Sequence, residues 1–316
     1  MSGGFATNAG NSDLLIRSEV WSTQLKDVLL DELMAQRYVR WLTEFPDGDE
    51  FTIPSIGEAQ VDDYVEGESV KYRALDTGEF KFQITDYVAT GHAITDKAKQ
   101  DIFYMNELVS SFVPKQARAI STRIEKDILA LANQQQANDT NSINGAEHRF
   151  VASGTNEVIE PADFAKARFA LKKANVPDSN LIAIVDPSVE YRLNTLSNLV
   201  SVSDNPRWEG IVADGIASGM KFIKNVYGFD VWTSNYLPTA NETIGGLTTA
   251  SGKANIFFSA TPDILPFIGA MRQTPTVEAH RDSARKSDMF DTTARYGLKL
   301  FRPENLVVVL SDDDQV

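Results

Sequence analysis

The chain has 316 residues, enough to bury a sizeable core, and its 42% hydrophobic and 23% charged fractions are those of a folded protein rather than a disordered one. Forty-four acidic against 30 basic side chains leave a net charge of −14, which repels a phosphate backbone, argues against sequence-independent nucleic-acid binding, and serves solubility first. The absence of cysteine excludes disulfides, thiolate zinc sites and cysteine nucleophiles, while no apolar run approaches the ~20 residues of a membrane helix and the first residues lack the pattern of a signal peptide.

In chain order, residues 1–13 are small and polar and read as a flexible arm. Residues 14–43 read as a helix, because Val20, Trp21, Leu25, Val28, Leu29, Leu33 and Met34 recur at three- and four-residue steps. Residues 45–50, FPDGDE, form a turn. A long polar arm follows over 49–95. Phe51 and Ile53, Val70 and Tyr72, and then Phe80, Phe82 and Ile84 alternate with period two, so the arm predicts two strands joined by a charged excursion. Gly57 and Gly67 mark bends and Asp76-Thr77-Gly78 a further turn. The apolar face is broken in the middle, and such a ribbon is marginal in water unless a neighbour completes it.

A long amphipathic helix comes next, with Val109, Phe112, Ile120, Ile124, Ile128 and Leu131 on one stripe. Pro114 makes it either start late or kink. The Gln/Asn-rich tract from Asn133 to Asn144 reads as an exposed loop. Residues 158–262 predict an α/β unit. Pro161 opens a helix whose buried face is Phe164, Ala167, Leu171 and Ala174; LIAIVDP at 181–187 is a buried strand leading into a turn, and SVEYRLNTL is a short helix. Gly210 to Gly219 reads as a loop, KFIKNVYGFDVWTSNYLP as a strand pair, and ANIFFSATPDILPFIG as a further buried strand. Residues 263–310 are rich in hairpins. No repeat of twenty to fifty residues is present.

The chemistry-bearing residues do not assemble into a catalytic pattern. His92, His148 and His280 are isolated, with no metal-ligand spacing between them. Asp62-Asp63 and the run Asp312-Asp313-Asp314 read as solvated charge, without the spacing of a calcium loop. GGLTTASGK at 245–253 is not a phosphate loop, because Ala254 follows Lys253, and it reads as a hairpin loop. No GxSxG elbow occurs. The expectation is a non-enzyme with no catalytic residue, cofactor or metal.

Three phrases then carry a family resemblance. LIAIVDPSVEYRL, YGFDVWTSNYLP and ARYGLKLFRPENLVVVL, in that order, with Tyr296-Gly297 and Arg302-Pro303-Glu304 matching best, resemble segments of the major capsid proteins of tailed bacteriophages. The resemblance spans about residues 14–310. It implies an α+β fold of the HK-ninety-seven-like type, with an N-terminal arm and helix over 1–48, an extended E-loop over 49–95, and a peripheral domain over 96–157 whose spine helix covers 103–135. An axial domain over 158–262 and returning peripheral strands over 263–316 complete it. The implied role is self-assembly into hexamers and pentamers of an icosahedral shell around double-stranded DNA. Its partners would be itself, a separate scaffolding protein, a portal protein and a decoration protein, with no membrane. The virion capsid is the implied location, with assembly in the host cytoplasm. Glu58, Asp62, Asp63, Glu66, Glu68, Lys71, Arg73 and Lys81 are the candidate intersubunit contacts. Covalent cross-linking through Lys71 or Lys81 is not expected, since no partner asparagine or catalytic acid is identifiable. An encapsulin shell is the alternative, with a tail or adhesin component and an acid-pair hydrolase behind it.

Overall fold

A computed structural model of the protein describes residues 33–42, 50–56, 63, 66–67, 69, 77–101, 105–135, 142–195 and 225–312. Its first elements are a 3₁₀ turn at Ala35–Tyr38 and strand β1, Val39–Leu42. The helix expected over 14–43 is therefore wrong over 33–42, while 14–32, residue 43 and the arm 1–13 lie outside the described residues. Two long-range interactions override the local periodicity. The buried carboxylate of Glu125 accepts the backbone N–H groups of Met34 and Ala35 at 2.9 and 2.7 Å and that of Gln36 at 3.3 Å. Val39 to Leu42 then pair in parallel with Phe267 to Ala270.

β2 (Glu50–Ile56) and β3 (Thr77–Gln83) form an antiparallel pair, as the alternation of Phe51/Ile53 and Phe80/Phe82 requires. Thr77 and Gly78 already lie in β3, so the turn expected at 76–78 is not there; Gly67 does adopt a left-handed φ of 96°. Next come β4 (Asp86–Thr95), α1 (Asp96–Asp101) and the 26-residue α2 (Met105–Ala130). α2 starts nine residues before Pro114, which sits exposed inside it. Its later stripe, Ile120, Ile124, Ile128 and then Leu131, is buried as the spacing predicts. The Gln/Asn tract departs from expectation where it leaves the helix. Gln135 is fully buried and donates to the carbonyls of Pro303 and Leu306, both at 2.8 Å; residues 136–141 lie outside the described residues.

The hairpin β5 (Ser142–Ile143) and β6 (Ala146–Glu147) leads to β7, Arg149–Val151. α3 (Pro161–Lys173) starts at Pro161 with a reciprocal cap between Glu160 and Asp163. β8 (Leu181–Val185) and α4 (Pro187–Thr195) follow as expected. The 210–219 loop lies outside the described residues. β9 (Asn225–Val226) and β10 (Phe229–Thr233) pair across Tyr227-Gly228, both at positive φ. β11 (Thr243–Ile244) and β12 (Leu247–Thr248) form the expected hairpin, turning on Gly245-Gly246 with φ of 62° and 86°. β13 (Gly252–Ser259), the long pair β14 (Phe267–Asp282) and β15 (Ser287–Leu300), and β16 (Val307–Asp312) complete the chain. Asp312 is not the solvated charge expected. It is buried and accepts the N–H groups of Ala250 and Ser251 at 3.1 and 3.0 Å, while Asp313 and Asp314 lie outside the described residues.

Two sheets organise these strands, a four-stranded one in the order β1-β14-β15-β4 and a six-stranded one in the order β7-β16-β13-β8-β10-β9. The larger sheet takes β7 and β16 from outside residues 158–262, so that expected unit is incomplete without them. Its faces are buried in two different cores, which explains the continuous apolar runs. Along β16, Val308 and Leu310 join the core with Ile120, Ile124, Ile128, Phe267 and Tyr296, while Val307 and Val309 join that with Phe164, Leu171, Val189 and Leu193. Ile182 and Ile184 against Leu181, Ala183 and Val185 divide β8 in the same way. Each fully buried side chain of this size contributes about 1.5–3 kcal/mol.

Replacing Glu125 by Ala leaves buried N–H groups without an acceptor and should cost about 2–4 kcal/mol. Glu125→Gln, which keeps one carbonyl oxygen, should lose less. Denaturant midpoints of the two variants against the parent check the order.

Candidate assembly surface

The ribbon β2–β3 is fixed at its base by its own chain. Phe82 and Ile84 are buried with Ile268 and Ala270, and Leu42, Ile53, Phe80 and Phe301 pack around them. Phe80 meets Phe301 edge to face at 5.0 Å, and Lys299 lies 4.6 Å over the Phe80 ring while donating to the Lys81 carbonyl at 2.8 Å. The segment between β3 and β4 crosses directly over Gly297. A Cβ there would stand 2.6 Å from the Gln83 carbonyl oxygen and 2.9 Å from Ile84 Cα, so only glycine permits the crossing. The broken apolar face of the arm is thus completed, at its base, by β14, β15 and the segment after β15 rather than by a neighbour.

β4, β15 and β14 continue as a three-stranded ribbon over one end of α2. β15 pairs with β4 from Ser287↔Thr95 to Tyr296↔Asp86, and with β14 from Phe267↔Leu300 to Asp282↔Ser287. Buried Gln116 of α2 ties the ribbon to the helix. Its Nε2 is 2.9 Å from His92 Nδ1 and donates to the Phe290 carbonyl at 3.1 Å, while its Oε1 accepts from Thr292 Oγ1 at 3.2 Å. Further along α2, the Tyr296 hydroxyl donates to Asp127 at 2.5 Å, and Arg123 Nε donates to the same carboxylate at 3.0 Å. Burial, then the Asp127 carboxylate, push the Tyr296 hydroxyl well above the usual phenol range. Burial and the same Asp127 raise the Asp86 carboxyl.

Four charges close the end of the ribbon. Arg281 holds Asp96 in a two-point bridge at 3.0 and 2.7 Å and reaches Asp288 at 2.9 Å, and Lys99 pairs with Asp288 on its other side. The Asp96 N–H donates to the Lys286 carbonyl at 2.9 Å. These bridges lower the Asp96 and Asp288 carboxyls and raise Arg281. Sequence reading missed this cluster, because its bonded partners are up to 189 residues apart.

Of the residues expected at a subunit contact, Asp63, Glu66 and Lys81 are exposed. Glu58, Asp62, Glu68, Lys71 and Arg73 lie outside the described residues. Among the histidines, His148 is buried with its ring held neutral by burial, and Nδ1 lies 3.0 Å from the Ala146 carbonyl. His280 is exposed, 3.5 Å from Asp291. Among the described residues no group of three His, Asp or Glu side chains is placed to hold a metal ion, and no helix is long and apolar enough to cross a membrane.

Comparison with known proteins puts this arrangement in context. The model of a family described as phage capsid protein matches residues 78–309. No curated protein matches significantly. Among solved structures, a chain of Mycobacterium phage Che8 is 20% identical over 92% of this chain and 96% of its own, with a TM-score of 0.68. The capsid of cyanophage P-SCSP1u is 15% identical over 97% and 95%, with a TM-score of 0.72. The cyanophage Pam1 capsid is 12% identical over 98% and 100%, with a TM-score of 0.66. At these identities the likeness is one of fold.

The charge cluster has a definite pH sign. Asp96 and Asp288 have folded-state pKa values below their unfolded ones, so their contribution is complete above the ordinary carboxylate range, about 4, and is lost as pH falls from there through the lowered folded-state values. Arg281→Gln should therefore speed amide exchange at Asp96 above that range and change little well below it, as hydrogen exchange at several pH values would show.

Proposed function

The chain belongs to the phage capsid protein family, and from that premise we propose that the arm over residues 49–95 is an E-loop that clasps a neighbouring subunit. The protein is a major capsid protein: a structural, non-enzymatic subunit that associates with copies of itself in the icosahedral shell of the virion. Beyond this, α2 serves as the spine helix. Residues 158–262, together with β7 and β16, serve as the axial domain, and β1, β4, β14 and β15 serve as the peripheral sheet. The capsid family match favours a phage shell over an encapsulin or a tail component.

The observation that best supports the clasp is the contrast within the arm. Its base is buried in its own chain through Phe82 and Ile84, yet residues 41–70 carry nine acidic side chains and no basic one. Such a stretch gains nothing from folding back on a chain of net charge −14, and gains Coulomb energy from basic groups on a neighbour. Glu58, Asp62, Asp63, Glu66 and Glu68 are assigned to that contact, with Lys71, Arg73 and Lys81 answering acidic groups on the neighbour. Hexamers and pentamers follow from such a head-to-tail contact when its rotation closes into a ring. A scaffolding protein, a portal and a decoration protein are the further partners proposed, with assembly in the host cytoplasm. The enclosed double-stranded DNA would meet an acidic subunit that does not hold it in place.

Asp62→Lys/Asp63→Lys/Glu66→Lys should raise the subunit concentration needed for particle formation by about tenfold or more, equivalent to ~1.4 kcal/mol per contact. The thermal midpoint of the isolated subunit should not move. Light scattering and electron microscopy across a concentration series read the first, calorimetry the second. Wild-type assembly by the triple variant would remove these acids from the interface.

A further inference from the structure

The four-stranded sheet has two edges of opposite character, one along β14 beyond its short partner β1 and one along β4. β14 is paired with β1 only over Phe267–Ala270, and no other described strand pairs with that edge along the rest of its length. That edge is protected against strand addition. It carries Arg272, Glu278, Arg281 and Asp282, its register with β15 shifts between Met271 and Thr276, and Pro275 lies within the shift. Charge, proline and bulges are the devices by which edges avoid pairing with other chains.

β4, on the other side, has none of them. Its sequence DYVATGHAIT contains no proline, and Asp86 at its start is its only acidic or basic residue apart from His92. Its register with β15 runs unbroken over ten pairs, so the strand is regular along its whole length. No described strand pairs with its outer edge, and every one of its residues is at least partly exposed, Tyr87 being 65% exposed. A regular, uncharged free edge of this length is a template for another strand.

We propose that the free edge of β4 is a strand-addition site for a second copy of this chain. Charge selects that occupant. Two subunits of net charge −14 repel over most of their surfaces, and close approach is least opposed where the backbone is bare of ionised groups. Residues 87–95 provide such a place, with no Asp, Glu, Lys or Arg among them, the Asp291 carboxylate of β15 at Gly91 being the one acidic group against them among the described contacts. The side chains allow it too. His92 meets α2 through Gln116, so by alternation Tyr87, Ala89, Gly91, Ala93 and Thr95 lie on the opposite face, whose middle three carry nothing larger than a methyl group, with the Asp291 side chain lying over Gly91. The inference rests on the shell-subunit reading above and supplies a surface to it: main-chain hydrogen bonds along β4 give affinity that salt does not screen, beside the salt-sensitive contact of the acidic arm.

Hydrogen exchange resolved to single amides, on free subunits and on assembled particles, tests it. In particles, every second amide between Tyr87 and Thr95, those not already bonded to β15, should slow by about tenfold or more, while the outer edge of β14 from Val277 to Asp282 stays as fast as in the free subunit. Ala89→Lys/Ala93→Lys should leave the subunit's melting unchanged and raise the concentration needed for assembly. Particles whose β4 amides exchange at the free-subunit rate overturn the inference and leave the shell reading intact. Slow exchange already present in the free subunit, meaning that the chain covers its own edge, also overturns it. Subunits that form no particles under any condition overturn both.

Discussion

Helix α2 is the constraint on which the rest of the molecule depends. Its apolar stripe enters the core shared by both sheets, but apolar contact alone would let a helix slide or rotate at modest cost. Its polar groups remove that freedom. Gln116 is matched to β15 and His92, Glu125 to the N–H groups of the turn before β1, and Asp127 to the hydroxyl of Tyr296. Each match is to an element far away in the chain, and losing any one strands a buried polar group. The helix therefore has one axial position and one rotation at which all three are satisfied, and both sheets are referenced to it.

The second tie between distant parts is an ion pair. Arg149, fully buried on β7, is held in a two-point bridge by Glu242 at 2.8 and 2.6 Å and donates to the Ala132 carbonyl at 2.9 Å just past the end of α2. A buried guanidinium is tolerated only with its partners in place. The small β11–β12 hairpin beside Glu242 is thus held to the same helix end. Burial of charge here fixes geometry rather than adding much net stability.

What could be read from the sequence and what could not divide along one physical line. Strands buried on both faces advertise themselves as apolar runs, so β8 and β13 were legible, as were the proline-started α3 and the period-two alternation around Phe80 and Phe82. Elements whose identity is decided by a remote partner were not. Residues 39–42 form a strand because of Phe267 to Ala270, and Gln135 and Asp312 look like surface residues until the carbonyls and N–H groups they serve are known. The assembly surface was half legible for the same reason. The acidity of residues 41–70 is local information, whereas the anchoring at Phe82, the crossing at Gly297 and the four-charge cluster exist only once the chain has closed on itself.

The placement of β16 has a consequence for timing. Residues 307–312 occupy an inner position of the six-stranded sheet, between β7 and β13, and contribute alternate side chains to both cores. During synthesis, β7, β8, β10 and β13 all emerge from the ribosome before the strand that joins two of them, so the sheet stays in two pieces until residues 307–312 have been made. A chain made only as far as residue 306 lacks a strand of both cores at once. One short strand thus sets the moment at which both cores, and the surfaces they support, become complete.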